Sequence, residues 1–149
     1  MTKGRLELKQ VNEAALMKDR RTLLQTLWIF AVLNYLYCDV VSLTDSHLLK
    51  QYLTGTVEGL HMSQQVLLTA AVLMEISIGM VVLSRVLKYT PNRWANMIAA
   101  VITTLAQIGS LFLGKPTPYY LFFSAFEIAA TVSIFVIALR WRRPEPAHS

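Results

Sequence analysis

QQVLLTAAVLMEISIGMVVLSRVL, residues Gln64–Leu87, is the stretch whose reading decides the fold. It is apolar almost throughout, with one acid, Glu75, near its middle and one base, Arg85, close to its end. About 20 apolar residues at ~1.5 Å rise each span the ~30 Å hydrocarbon core of a bilayer, so the stretch reads as a transmembrane helix. A charge is costly inside a bilayer, which makes Glu75 a functional-site candidate. Two other apolar runs carry one more acid each, Asp39 and Glu127.

Composition fits that reading. The chain has 149 residues, one domain's worth, with 54% hydrophobic and 15% charged residues; soluble domains average roughly 25% charged. A net charge of +5 raises nucleic acid as a partner, but the bases bracket apolar runs instead of forming one patch, so no nucleic acid is expected. The single cysteine, Cys38, excludes an intrachain disulfide and a cysteine metal cluster.

The pattern divides into a polar N-terminal segment (1–21), a transmembrane domain (22–143) and a short tail (144–149). Four spans are expected, at about 23–43, 64–87, 94–113 and 119–140. The leader contains acids and no small-residue cleavage site follows the apolar run, so no signal peptide is expected; residues 1–21 read as a solvated, partly helical tail. Between the first two spans, Thr44-Asp45-Ser46 reads as a helix cap and Leu48, Leu49, Tyr52 and Leu53 fall at helical spacing. A short interfacial helix ending near Gly55 follows. Thr90-Pro91 and Thr117-Pro118 each read as a cap followed by proline at the first helical position. Lys and Arg fall six in the N-terminal segment, three at 85–93 and three at the C-terminus, against Lys50 and Lys115 alone on the other side. That asymmetry predicts both termini cytoplasmic. The fold class is therefore an all-α, four-helix transmembrane bundle in a bacterial inner membrane, with the lipid bilayer as its first partner.

With the spans placed, the chain resembles a family of small bacterial four-span membrane proteins, a domain of unknown function. Leu27-Trp28-Ile29-Phe30 with Asn34-Tyr35, Ser84–Tyr89, Asn92-Arg93-Trp94-Ala95-Asn96 and Pro116-Thr117 before Tyr119-Tyr120 carry the likeness, over roughly residues 22–143. The resemblance implies the topology and neither an activity nor a site. In architecture alone the chain is similar to DoxX-like four-helix membrane proteins.

Counting inward at ~1.5 Å per residue puts Asp39 about 6 Å and Glu127 about 12 Å from the outer edge, Glu75 near the midplane, and Gln107 between. Residues three and four apart share a helix face. Asp39 aligns with Trp28, Tyr35 and Ser42, Glu75 with Ala71 and Gly79, Gln107 with Thr103 and Ser110, and Glu127 with Tyr120, Ser124 and Thr131. The stripes are expected to face inward, so that Glu75, Glu127, Asp39 and Gln107 share one pocket walled by Trp28, Tyr35 and Tyr120. No base lies in the interior of any span, so these acids must protonate or bind a proton or small cation. The spacing shows no catalytic motif, metal site or cofactor motif.

Three functions are compatible with this pattern. The first is proton- or cation-linked transport or binding of a small, lipophilic cationic substrate, by a homodimer because four helices enclose only a thin bundle. The second is a non-catalytic accessory or scaffold subunit whose acids tie helices together. The third is an enzyme or binder acting on a lipophilic small molecule.

Overall fold

The computed structural model describes the backbone of residues 3–141 and, within them, the side chains of Leu8, Val11 and residues 15–141. The expected tail at 144–149, with Arg142 and Arg143, lies outside the described residues. The chain is helical: α1 (Lys3–Thr44), α2 (Ser46–Thr54), a hairpin of β1 (Thr56–Val57) and β2 (Leu60–His61), then α3 (Gln64–Val86), α4 (Tyr89–Ser110) and α5 (Pro118–Leu139). Three helices are long and apolar enough to cross a membrane: Ala15–Thr44 within α1, Gln64–Val86 and Pro118–Leu139.

The helices form a ring in which α1 packs on α3 and α5, and α4 packs on α3 and α5. The centre of the ring is built from Leu24, Trp28, Met80, Ala99, Ala100, Ile134 and Trp141. Alanines at the α4–α5 contact let the backbones approach closely, which suits helices whose surroundings are as apolar as their interior. α4 is inverted relative to a soluble helix. Its buried face carries Asn92, Asn96, Thr103 and Gln107, whereas Trp94, Ile98, Val101, Ile102, Leu105 and Ile108 are exposed.

Local signals explain most of the boundaries. Asp45 caps α2 by accepting from the backbone N–H groups of His47 and Leu48, and Gly55 ends it in the left-handed conformation at φ 74°. Ser63 caps α3, and Thr117 caps α5 with Pro118 in its first turn. Thr90-Pro91 does not start α4. The helix begins at Tyr89 after Lys88, which makes no side-chain cap. Asn92, one turn in, instead donates from Nδ2 to the Ser84 carbonyl at 2.6 Å and to the Leu87 carbonyl at 3.3 Å, tying α4 to the end of α3.

Two further features depart from the sequence expectations. α1 runs without a break through residue 21, so the N-terminal segment continues the first apolar helix. The loop after α2 folds into the β1–β2 hairpin, with Val57 opposite Leu60. Its two linking residues, Glu58 and Gly59, both have positive φ, 47° and 83°, the geometry of a type I′ turn. Gln51 holds Glu58 in that strained conformation by accepting from its backbone N–H at 2.6 Å and donating to Oε1 at 3.1 Å. Gly114, with φ 74°, lies directly against Glu58, and the Lys115 backbone N–H donates to Glu58 Oε2 at 3.4 Å. These contacts join the 44–63 connection to the α4–α5 loop and cap one end of the bundle. The opposite end gathers Arg20, which donates to the Arg140 carbonyl at 3.1 Å, and Tyr89, which donates to the Trp141 carbonyl at 2.6 Å.

Candidate functional site

Polar side chains inside the bundle fall into two groups, one toward each end. Near the α3–α4 turn, Asn96 Oδ1 accepts from Trp28 Nε1 at 2.8 Å and from Ser84 Oγ at 3.0 Å. Its Nδ2 donates to Asn92 Oδ1 at 2.6 Å and to the Asn92 carbonyl at 2.9 Å. Trp28, Ser84, Asn92 and Asn96 are all 0% exposed, and each side chain has its partners. Beside them Arg93 donates from Nε and Nη2 to the carbonyls of Ala138 and Leu139, both at 3.1 Å. Two of the last carbonyls of α5 thus gain a cationic partner.

The second group lies between α4 and α5 toward the hairpin end, and it is zipped turn by turn. Tyr120 donates to Ser110 Oγ at 2.6 Å, Gln107 Nε2 donates to Ser124 Oγ at 2.8 Å, and Thr104 donates to Thr131 Oγ1 at 2.7 Å. Ser110 and Ser124 pass their own hydrogens to the carbonyls of Gln107 and Tyr120. Glu127 sits on the same face of α5 as Ser124 and Thr131, three and four residues away. It is 1% exposed, yet Oε1 has no hydrogen-bond partner.

The α1 side of this space brings Tyr35, Cys38 and Asp39 within electrostatic reach of Glu127. Tyr35 is half-buried and Cys38 buried, while Asp39 is exposed. From above, α2 lays Tyr52 against the group; burial first, then the nearby Asp39 carboxylate, push the Tyr52 phenol above its ordinary value. The neighbourhood is acidic, hydroxyl-rich and aromatic. Among the described residues, no three His, Cys, Asp or Glu side chains come together as a metal ion would require.

The residues singled out from sequence are therefore divided. Glu127, Gln107, Tyr120, Tyr35 and Asp39 share one region. Trp28 does not: its ring nitrogen is spent on Asn96, toward the other end of the bundle. Glu75 does not either. It is exposed on α3, a helix that packs on α1 and α4 and so leaves its acid outside the ring. The inward direction expected for the Ala71–Glu75–Gly79 stripe is thus corrected: Ala71 and Glu75 are exposed and Gly79 half-buried. Sequence reasoning missed Asn92 and Asn96, although two asparagines four residues apart at a helix start carry the signal of a shared face.

The chain matches the family of unknown function DUF6326 over residues 13–148 and belongs to that family. Comparison with curated proteins and with solved structures gave no match.

Proposed function

We propose that this chain is a four-span bacterial inner-membrane protein, both termini cytoplasmic, that binds a proton or small cation at Glu127. Binding there is linked to transport or binding of a small, lipophilic cationic substrate. The observation that carries the reading is the Glu127 carboxyl: almost fully buried, with Oε1 unpartnered, on a helix face whose other polar side chains are all paired. A buried carboxyl with an open oxygen gains most from a proton or a cation. Tyr35 and Asp39 of α1 lie within electrostatic reach of Glu127, and Gln107 and Tyr120 are held by Ser124 and Ser110 beside it.

Two features support α4 as the fourth span. Its 22 residues reach about 33 Å at ~1.5 Å each, and its outward face is apolar while its polar face is buried. The cytoplasmic placement of the termini is supported by Arg20, Arg85, Lys88, Arg93 and Arg140 at one end, against Lys50 and Lys115 at the other. The four-span likeness to DoxX-like proteins is architectural and adds no activity.

Glu75 enters this reading as an interface residue. α3 has the most apolar window of the three long helices, and only 11% of that window is buried. An acid exposed midway along such a helix needs a protein partner in place of lipid, and a second copy of the chain supplies one. The same observation favours the second reading, an accessory subunit that docks another membrane protein through α3.

Liposomes loaded with a pH-sensitive dye and challenged with tetraphenylphosphonium test the transport reading. Wild-type protein should couple uptake of this cation to proton movement, and Glu127→Gln should abolish the coupling while the protein inserts normally. Unchanged, pH-dependent uptake in Glu127→Gln would overturn the assignment. Loss of self-association in Glu75→Leu, read by cross-linking, separates a homodimer from a subunit that pairs with another protein.

A further inference from the structure

A second region outside the acidic group has the shape and charge of a binding site. At the end of the bundle opposite the hairpin, a cavity of about 400 Å³ opens between α1 and α3, lined by Met17, Lys18, Arg21, Thr22 and Arg85. Three of these five are basic and none is acidic. Lys18, Arg21 and Thr22 lie three and four residues apart, so they share one face of α1. Arg85 reaches the same space from the last turn of α3.

Among the described residues, no acidic side chain lines the cavity. Arg85 Nη1 donates to Gln25 Oε1 at 3.3 Å and Thr22 Oγ1 at 3.5 Å, both neutral acceptors and both long. Arg21 Nε is shielded from solvent and has no hydrogen-bond partner. Asp19 neighbours Lys18 in sequence but points about 100° away around the helix and is not part of the lining. Two guanidinium groups and an ammonium therefore converge on a space whose described lining offers donors and no anionic acceptor. Guanidinium forks match the tetrahedral oxygens of phosphate bidentately, and an ammonium adds a compact charge.

Place in the fold narrows the ligand. Arg21 precedes the apolar run of α1 and Arg85 closes that of α3, which in the proposed membrane placement is the level of lipid phosphates. The cavity holds roughly a dozen waters at ~30 Å³ each, more than a bare phosphate fills, and Met17 supplies an apolar wall. We propose that this cavity binds a phosphate group, specifically the headgroup phosphate of an anionic glycerophospholipid, between Lys18, Arg21 and Arg85. Basic pockets between transmembrane helices are suited to such headgroups. The site is independent of Glu127 and stands or falls separately from the transport reading.

The test uses the full-length protein in phosphatidylcholine nanodiscs doped with phosphatidylglycerol, with bound lipid counted by native mass spectrometry. Wild-type protein should retain phosphatidylglycerol. Arg21→Gln and Arg85→Gln should each weaken retention at least tenfold, and Lys18→Gln, on the exposed rim, more mildly. Lys50→Gln, at the other end, should leave retention unchanged. Helix content by circular dichroism checks that each variant is folded, and Lys18→Gln keeps the test open if an arginine variant fails to fold. Retention unaffected by the Arg21, Arg85 and Lys18 substitutions, or lost equally in Lys50→Gln, would overturn the proposal. Displacement of the lipid by millimolar inorganic phosphate would overturn the lipid assignment and leave a site for a soluble phosphate.

Discussion

Trp28, Ser84, Asn92 and Asn96 at one end and Glu127 with its neighbours toward the other are two polar groups buried in the same bundle. In the first, each side chain finds a partner. In the second, Thr104, Gln107 and Tyr120 pair with Thr131, Ser124 and Ser110, whereas Glu127 Oε1 and the buried Tyr119 hydroxyl have no partner. The lesson is that burial of polar atoms does not by itself mark a site. A closed network holds helices together, whereas an open valence in low dielectric is available for chemistry.

The Asn96 side chain makes the most bonds in the closed network. Asn96→Leu should destabilise the protein by about 3 kcal/mol, because Trp28 Nε1, Ser84 Oγ and Asn92 Oδ1 lose a buried partner, each loss worth ~1–3 kcal/mol. Thermal unfolding in detergent measures this, and a loss well under 1 kcal/mol would mean that the network is not structural. The hairpin cap offers a third, closed region. Gly114→Ala would place a Cβ 2.5 Å from Glu58 Cβ at a φ of 74°, and should cost about 1–2 kcal/mol from the left-handed backbone alone. Proteolysis at the α4–α5 loop should rise with it.

Glu127→Gln sharpens the contrast from the other side. Because Glu127 Oε1 has no hydrogen-bond partner, stability should change by less than about 1 kcal/mol, while proton coupling should be lost under the proposed transport function. A large loss of stability there would make Glu127 a member of a closed network after all. The smallest effect concerns pH. The Gln51 side chain first, then the Lys115 backbone N–H, hold the Glu58 carboxyl below its ordinary value of 4.5. A group lowered on folding adds stability above its unfolded value and loses it as pH falls. The hairpin cap should therefore loosen as pH drops below about 4.5, seen as faster amide exchange at Glu58 and Lys115, and Glu58→Gln should flatten that response.

Much of the scaffold was legible because its signals are local. Apolar length marks α1, α3 and α5, and side-chain oxygens at Asp45, Ser63 and Thr117 mark three helix starts. The Thr90-Pro91 reading failed because Asn92 binds back to the Ser84 and Leu87 carbonyls, a contact between helices that outranks a local cap. The hairpin was missed although Glu58-Gly59 is a short-turn pair; its partner strands are only two residues each. Half of the site followed from spacing, since the Tyr120, Ser124, Glu127 and Thr131 face does point inward. Glu75 shows the limit. When lipid and protein interior are equally apolar, hydropathy does not distinguish the inward face of α3 from the outward one. Small residues permit close approach to either neighbour. Trp28 was misplaced for a different reason: it lies close to the start of its apolar run, so depth alone separated it from Glu127.

The unbroken length of α1 has a mechanical consequence. Its 42 residues extend about 63 Å at ~1.5 Å each, roughly twice a bilayer's hydrocarbon thickness. With no joint between the bundle and the leading turns, tilt of the apolar portion is not absorbed at a hinge. A change of tilt would instead displace the polar end, by more the further a turn lies beyond the contact of Arg20 with Arg140.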